Sequence, residues 1–170
     1  MHGRDGALGD EVTHVRAGEG PLFWGPGDRY RFLITGRQSG GSYFILEALV
    51  PPGGGPPLHV HRREEECFFL LEGRLSILVG GRTIDAGAGD FIHFPRGTPH
   101  AFRNEGAAVA RMVAVFSPAG MEGWFEAALD VAPDREAMPP PPSAAMLARM
   151  LEAAPRFGVE WVTSGPHPTD

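Results

Sequence analysis

No lysine occurs anywhere in this chain of 170 residues; all 15 basic side chains are arginine. That one-sided usage reads as a bias of genome composition rather than a functional signature. Set against 21 acidic residues it leaves a formal net charge of −6, which argues against nucleic acid or an anionic membrane as a partner. The single cysteine, Cys67, excludes an internal disulfide framework. No apolar run approaches the roughly 18 residues needed to span a bilayer. The opening Met-His-Gly-Arg-Asp-Gly carries none of the apolar core of a secretory leader, so a cytoplasmic protein is the expectation. An internal repeat and a helix-turn-helix pattern are also missing. The glycine-rich stretch 51–57 lacks the Lys-Ser/Thr that a phosphate loop requires, and its prolines make it a stiff connector.

What is abundant is glycine (24) and proline (17), which suits many short strands joined by tight turns. A hydrophobic share of 42% and a charged share of 21% describe an ordinary globular chain, long enough for one domain with a real core. Residues 1–20 are polar and glycine-rich, with a mobile start expected, and Leu22-Phe-Trp24 reads as an irregular lead-in that needs cover. Strand candidates follow at 30–35 and 42–50, then about every ten residues at 67–71, 74–79, 82–84, 91–94, 100–103 and 107–116. Gly80-Gly81 is a hairpin turn signal. The character then changes. Residues 121–131 read as an amphipathic helix with Trp124, Phe125, Ala128 and Leu129 on one side. Pro139–Pro142 is a rigid spacer, Ser143 caps a second helix running through Ala153, and 158–162 returns as an edge strand before a frayed end.

The chemistry is concentrated between Gly53 and Asn104. His59 and His61 stand two residues apart, so on a strand both imidazoles leave the same face. Glu66 lies at an odd offset from His61, but the polar run Arg62-Arg63-Glu64 can reverse the chain and let Glu66 open the next strand facing the histidines. His100 follows a Pro-x-Gly-x-Pro turn and can arrive from a third strand. Imidazoles and a carboxylate converging in this way make a site for a first-row metal.

These residues also carry a family resemblance. Gly53, His59, His61, Glu66 and Gly73 match Gly-x5-His-x-His-x4-Glu-x6-Gly. Gly89, Pro95, Gly97, His100 and Asn104 match Gly-x5-Pro-x-Gly-x2-His-x3-Asn, with 15 residues between the two motifs. The pair resembles the two signatures of the cupin superfamily. The resemblance implies an all-β, double-stranded β-helix (a jelly-roll barrel) over residues 30–117. An N-terminal extension at 1–29 and a helical, proline-rich C-terminal extension at 118–170 flank it. It further implies one divalent transition metal per chain (Fe, Mn, Ni, Co, Cu or Zn) held by His59, His61, Glu66 and His100. The general arrangement is similar to quercetin-dioxygenase-like small cupins. That likeness implies oxidation of a small oxygen-chelating aromatic or enediol substrate, with Glu66 as the catalytic base. A metal-dependent isomerase or lyase of a small polar acid or sugar, and a non-catalytic metal or small-ligand binding module, are the alternatives. A cavity walled by Arg and Glu would favour the isomerase, an aromatic one the oxygenase.

Other residues invite weaker readings. Glu64 and Glu65 are rivals to Glu66 but should face solvent; His93 is either a pocket group beside the metal or outward-facing. Cys67 should face away from the metal as a buried packing thiol. Tyr43 and Glu47 share parity and are candidates to reach the cavity, while Phe68, Phe69, Phe91, Phe94 and Phe102 are core by default. Exposed sheet edges, with 22–24 and 158–162 as spare pieces to cover a partner, point to a homodimer.

Overall fold

Period-two burial organises the architecture. In the computed structural model, which describes residues 12–162, side chains along Phe44–Val50 alternate, with Phe44, Leu46, Ala48 and Val50 buried. The expected mobile start and frayed end concern residues outside that span. The same alternation buries Tyr30 and Phe32, then Glu66, Phe68 and Leu70, then Ala110, Met112, Ala114 and Phe116. Fully burying one such Phe or Leu contributes about 1.5–3 kcal/mol, which is why these strands keep their register.

In chain order the strands are β1 (Leu22–Trp24), β2 (Arg29–Ile34), β3 (Phe44–Val50), β4 (His59–His61), β5 (Glu65–Glu72), β6 (Arg74–Val79), β7 (Arg82–Gly87), β8 (Phe91–Phe94), β9 (His100–Arg103) and β10 (Ala110–Ser117). There follow α1 (Glu122–Ala128), β11 (Asp130–Val131), α2 (Ala144–Phe157) and β12 (Val159–Trp161). A seven-stranded sheet has the order β11-β1-β2-β3-β10-β5-β8, and a five-stranded sheet the order β12-β4-β9-β6-β7. Every pairing is antiparallel, so this is the expected jelly-roll sandwich with a small helical extension. Gly73 makes the turn from β5 to β6 at φ 76°, where a Cβ would stand 2.8 Å from Ala110 Cα; only glycine fits.

Both helices contribute buried residues to the same hydrophobic core as the strands. Ser143 Oγ accepts from the Met146 amide at 3.1 Å and starts α2, and Gly158 in the left-handed conformation ends it. Met146, Met150, Ala153 and Ala154 form its buried stripe, and α1 buries Trp124, Phe125 and Ala128.

Three expectations are corrected here. The helix expected over 121–131 stops at Ala128; Leu129 is extended, and Asp130–Val131 pair with β1, whose ladder satisfies the backbone in place of a further helical turn. Residues 22–24 form a regular strand whose Leu22 and Phe23 are buried within the chain. Likewise β12 pairs with β4, so neither segment is spare for a partner. No described helix is long and apolar enough to cross a membrane.

Candidate metal centre

All three residues of β4 are buried, and β4 lies between β12 and β9 with His59 directly across from His100. Glu66 belongs to the other sheet. It shares the inward face of β5 with Phe68 and Leu70, so the break at Arg62–Glu64 resets the parity as the spacing suggested. The structure thus brings His59, His61, Glu66 and His100 together, all buried, with donor atoms within 4.8 Å of one another.

Backbone carbonyls orient the rings. His59 Nδ1 donates to the Pro57 carbonyl at 2.9 Å and His100 Nδ1 to the Thr98 carbonyl at 3.0 Å. A carbonyl only accepts, so each Nδ1 carries hydrogen and each Nε2 is the side offered to the centre. Glu66 Oε2 lies 2.8 Å from His100 Nε2 and 3.4 Å from His61 Nε2. Burial, reinforced by the neighbouring His100 and His61, holds the His59 pKa well below its ordinary value. Burial also lowers His61, against the pull of Glu66. At His100 burial pulls downward too, but the hydrogen bond and charge of Glu66 outweigh it and the net shift is upward. His59 and His61 are therefore neutral imidazoles, the form that ligates. A cation at this centre would replace the His100 Nε2–Glu66 Oε2 hydrogen bond. Two Nε2 donors held by second hydrogen bonds, the His61 imidazole, whose Nδ1 has no partner, and one carboxylate in a buried cluster fit a divalent transition metal.

Above this cluster lies a cavity of about 50 Å³. Its wall includes Tyr30, Phe116, Trp124, Phe125, Met150 and Trp161 beside His59, His61 and Glu66. Trp161 of β12 stands 5.7 Å from the His59 ring, and the indole N–H groups of Trp124 and Trp161 are buried without partners.

The remaining sequence candidates divide. His93 is outward and pairs with exposed Glu65 at 3.1 Å, away from the metal cluster. Glu64, expected in solvent, is buried at 3% exposure, and burial raises its pKa to about 7. Tyr43 is exposed and Glu47 lies between Arg31 and Arg111 on the outer face, because the inward parity of β3 belongs to Phe44. Cys67 does face away from the cluster but is only half-buried. Phe68, Phe94 and Phe102 are core, whereas Phe69 and Phe91 are 43% and 64% exposed. Sequence reasoning missed Asp28 and Tyr30; their two-residue spacing at the head of an alternating strand was the available signal.

A family model for the cupin domain matches residues 46–116, the span containing β4, β5, β9 and all four donors. Residues 46–116 make up a cupin domain. This cupin is 29% identical over 124 residues to a quercetin 2,3-dioxygenase of Bacillus subtilis, covering 68% of the chain and 36% of that protein. Across the curated relatives it matches, the chain spans from 32% to 60% of their length. Among solved structures, a predicted oxalate decarboxylase from Thermotoga maritima superposes with a TM-score of 0.59 at 22% identity, over 62% of this chain and 99% of the other. The polyketide cyclase RemF from Streptomyces resistomycificus superposes with a TM-score of 0.50 at 28% identity, over 69% of this chain and 80% of the other.

Proposed function

We propose that this cupin is a metal-dependent enzyme acting on a small planar aromatic or enediol compound with adjacent oxygens, and that the reaction is oxidation by dioxygen. His59, His61, Glu66 and His100 would hold one divalent transition metal per chain. Bound there, the ion supplies Lewis-acid activation of a chelating oxygen and, if redox-active, access to dioxygen chemistry. The observation that carries the reading is the cavity wall. Besides the indoles, the only polar side chains lining it among the described residues are Tyr30, His59, His61 and Glu66, and the rest are aromatic or aliphatic. No arginine among the described residues lines it, which disfavours a small acid or sugar. Glu66 takes the proton of the substrate hydroxyl, since a carboxylate can serve as base while the imidazoles keep the donor set in place. A cavity of about 50 Å³ holds only a few waters.

The likeness to a quercetin 2,3-dioxygenase supports the oxidative reading. The likeness to a polyketide cyclase supports a second one, ring closure of an aromatic polyketide without oxidation. The deciding experiment measures metal content and then oxygen uptake with flavonols and catechols across Fe, Mn, Co, Ni and Cu reconstitutions. Uptake that collapses in Glu66→Gln, with metal largely retained, supports the first reading. Metal-dependent conversion without oxygen uptake supports the second, and neither binding nor conversion overturns both.

A homodimer is also proposed, on a different surface from the one the sequence indicated. Phe69 and Phe91 face each other across β5 and the sheet-edge strand β8, both exposed, and a second copy of the chain would cover them.

A further inference from the structure

One polar group of the cavity wall, Tyr30, is not part of the donor cluster, and Asp28 is bonded to it. Tyr30, on β2, lines the cavity beside His59, His61 and Glu66, and its ring meets Phe125 edge-on at 5.0 Å. Its hydroxyl donates to Asp28 Oδ2 at 3.0 Å. Asp28 is 0% exposed, and its Oδ1 has no hydrogen-bond partner. The chain is built closely around that carboxylate, for a Cβ on residue 54 would stand 2.4 Å from Asp28 Oδ1 and only Gly54 leaves the room. Burying a carboxyl group costs more than its contacts with the Tyr30 hydroxyl and the Gly55 backbone return. A packing role for Tyr30 would be met by phenylalanine.

The bond to Asp28 has a directional consequence. With its hydrogen committed to Oδ2, the Tyr30 oxygen keeps only lone pairs for anything in the cavity, so it is an acceptor there. Burial, with Asp28 and Glu66 nearby, raises the Tyr30 pKa well above its ordinary value, so the hydroxyl stays neutral. We propose that Tyr30 Oη is a second substrate-binding group, accepting a hydrogen bond from a ligand hydroxyl that does not coordinate the metal, and that Asp28 is the positioning residue that fixes it as an acceptor. This rests on the reading of the cavity as the seat of a metal-chelating aromatic. It adds a specificity, since a free hydroxyl is favoured over the corresponding methyl ether.

The test uses the metal-loaded protein under nitrogen and isothermal titration calorimetry. Two probe pairs differ only in the non-chelating oxygen: pyrogallol against 3-methoxycatechol, and 1,2,4-benzenetriol against 4-methoxycatechol. In at least one pair the wild type should prefer the free hydroxyl by about tenfold. Tyr30→Phe, which keeps the ring against Phe125, should abolish that preference by weakening the hydroxyl probe alone, with metal content unchanged. Asp28→Asn retains an acceptor oxygen and should keep the preference, whereas Asp28→Ala should lose it. Catechol binding without discrimination in either pair, or discrimination that survives Tyr30→Phe, overturns the inference alone. If the wild type binds none of the four probes, the proposed function falls and the inference falls with it.

Discussion

The two walls of the cavity are made from different kinds of structure. Donor side chains come from the strands β4, β5 and β9, and carbonyls two residues away hold two of the rings. The covering wall, with Trp124 and Phe125 from α1, Met150 from α2 and Trp161 from β12, lies outside both motifs and carries no charged group. The donor wall decides what is held and with which atoms. The cover decides what comes near, through volume and shape alone. Since the two share few residues, one can change without the other.

That separation can be broken experimentally, starting with the donors. His100→Ala should reduce metal per chain at least tenfold, roughly the scale on which even outer groups act on metal affinity. Thermal unfolding of the metal-free variant should stay near wild type; joint loss of metal and fold would merge the two walls. Trp124→Ala does the reverse. Its 6% exposure places it in the core, so removal should cost about 3–5 kcal/mol in denaturant titrations while metal stoichiometry holds.

Asp28→Asn probes the seam between the walls. Burial raises the Asp28 pKa from 3.8 to about 7, opposed by Tyr30 and the Gly55 backbone. The unfolded chain thus loses this proton first, so the stabilising contribution is complete below pH 3.8 and is lost as pH rises to about 7. The metal-free variant should match wild type near pH 4 and gain up to about 4 kcal/mol over it by pH 8. A constant difference across that range would refute the assignment. The smallest effect belongs outside both walls. Phe91→Ser should alter the stability of the isolated chain by no more than about 0.5 kcal/mol. Sedimentation should nevertheless show the variant as monomer and wild type as dimer; identical profiles would remove the proposed interface.

The donor wall was legible because strand alternation and motif spacing are properties of short stretches. His59 and His61 share a face by parity, and one polar reversal brings Glu66 back to them. The cover was not legible because it depends on where segments distant in the chain come to rest. Parity showed that Tyr43, just before β3, and Glu47 share a face, but not that the face is the outer one. Glu64 looked like a solvated charge, yet the reversal packs it near the loop at Gly120, where a Cβ would lie 3.6 Å from Glu64 Oε1. Phe69 and Phe91 looked like core because hydrophobicity says nothing about which side of an edge is covered.

The pairing of β12 with β4 bears on the order in which the molecule is assembled. Arg62, just after the histidine pair, bonds to Glu160, 98 residues further along. The Arg62 amide is held by the Gly158 carbonyl, and the Leu58 carbonyl holds the Val162 amide. Until those residues leave the ribosome, β4 is a bare edge and His59 and His61 have no clamp on that side. At about 5–20 residues per second, the interval is on the order of ten seconds. The nascent histidine pair is open to any passing cation during that time. That side of β4 is closed only when β12 pairs with it.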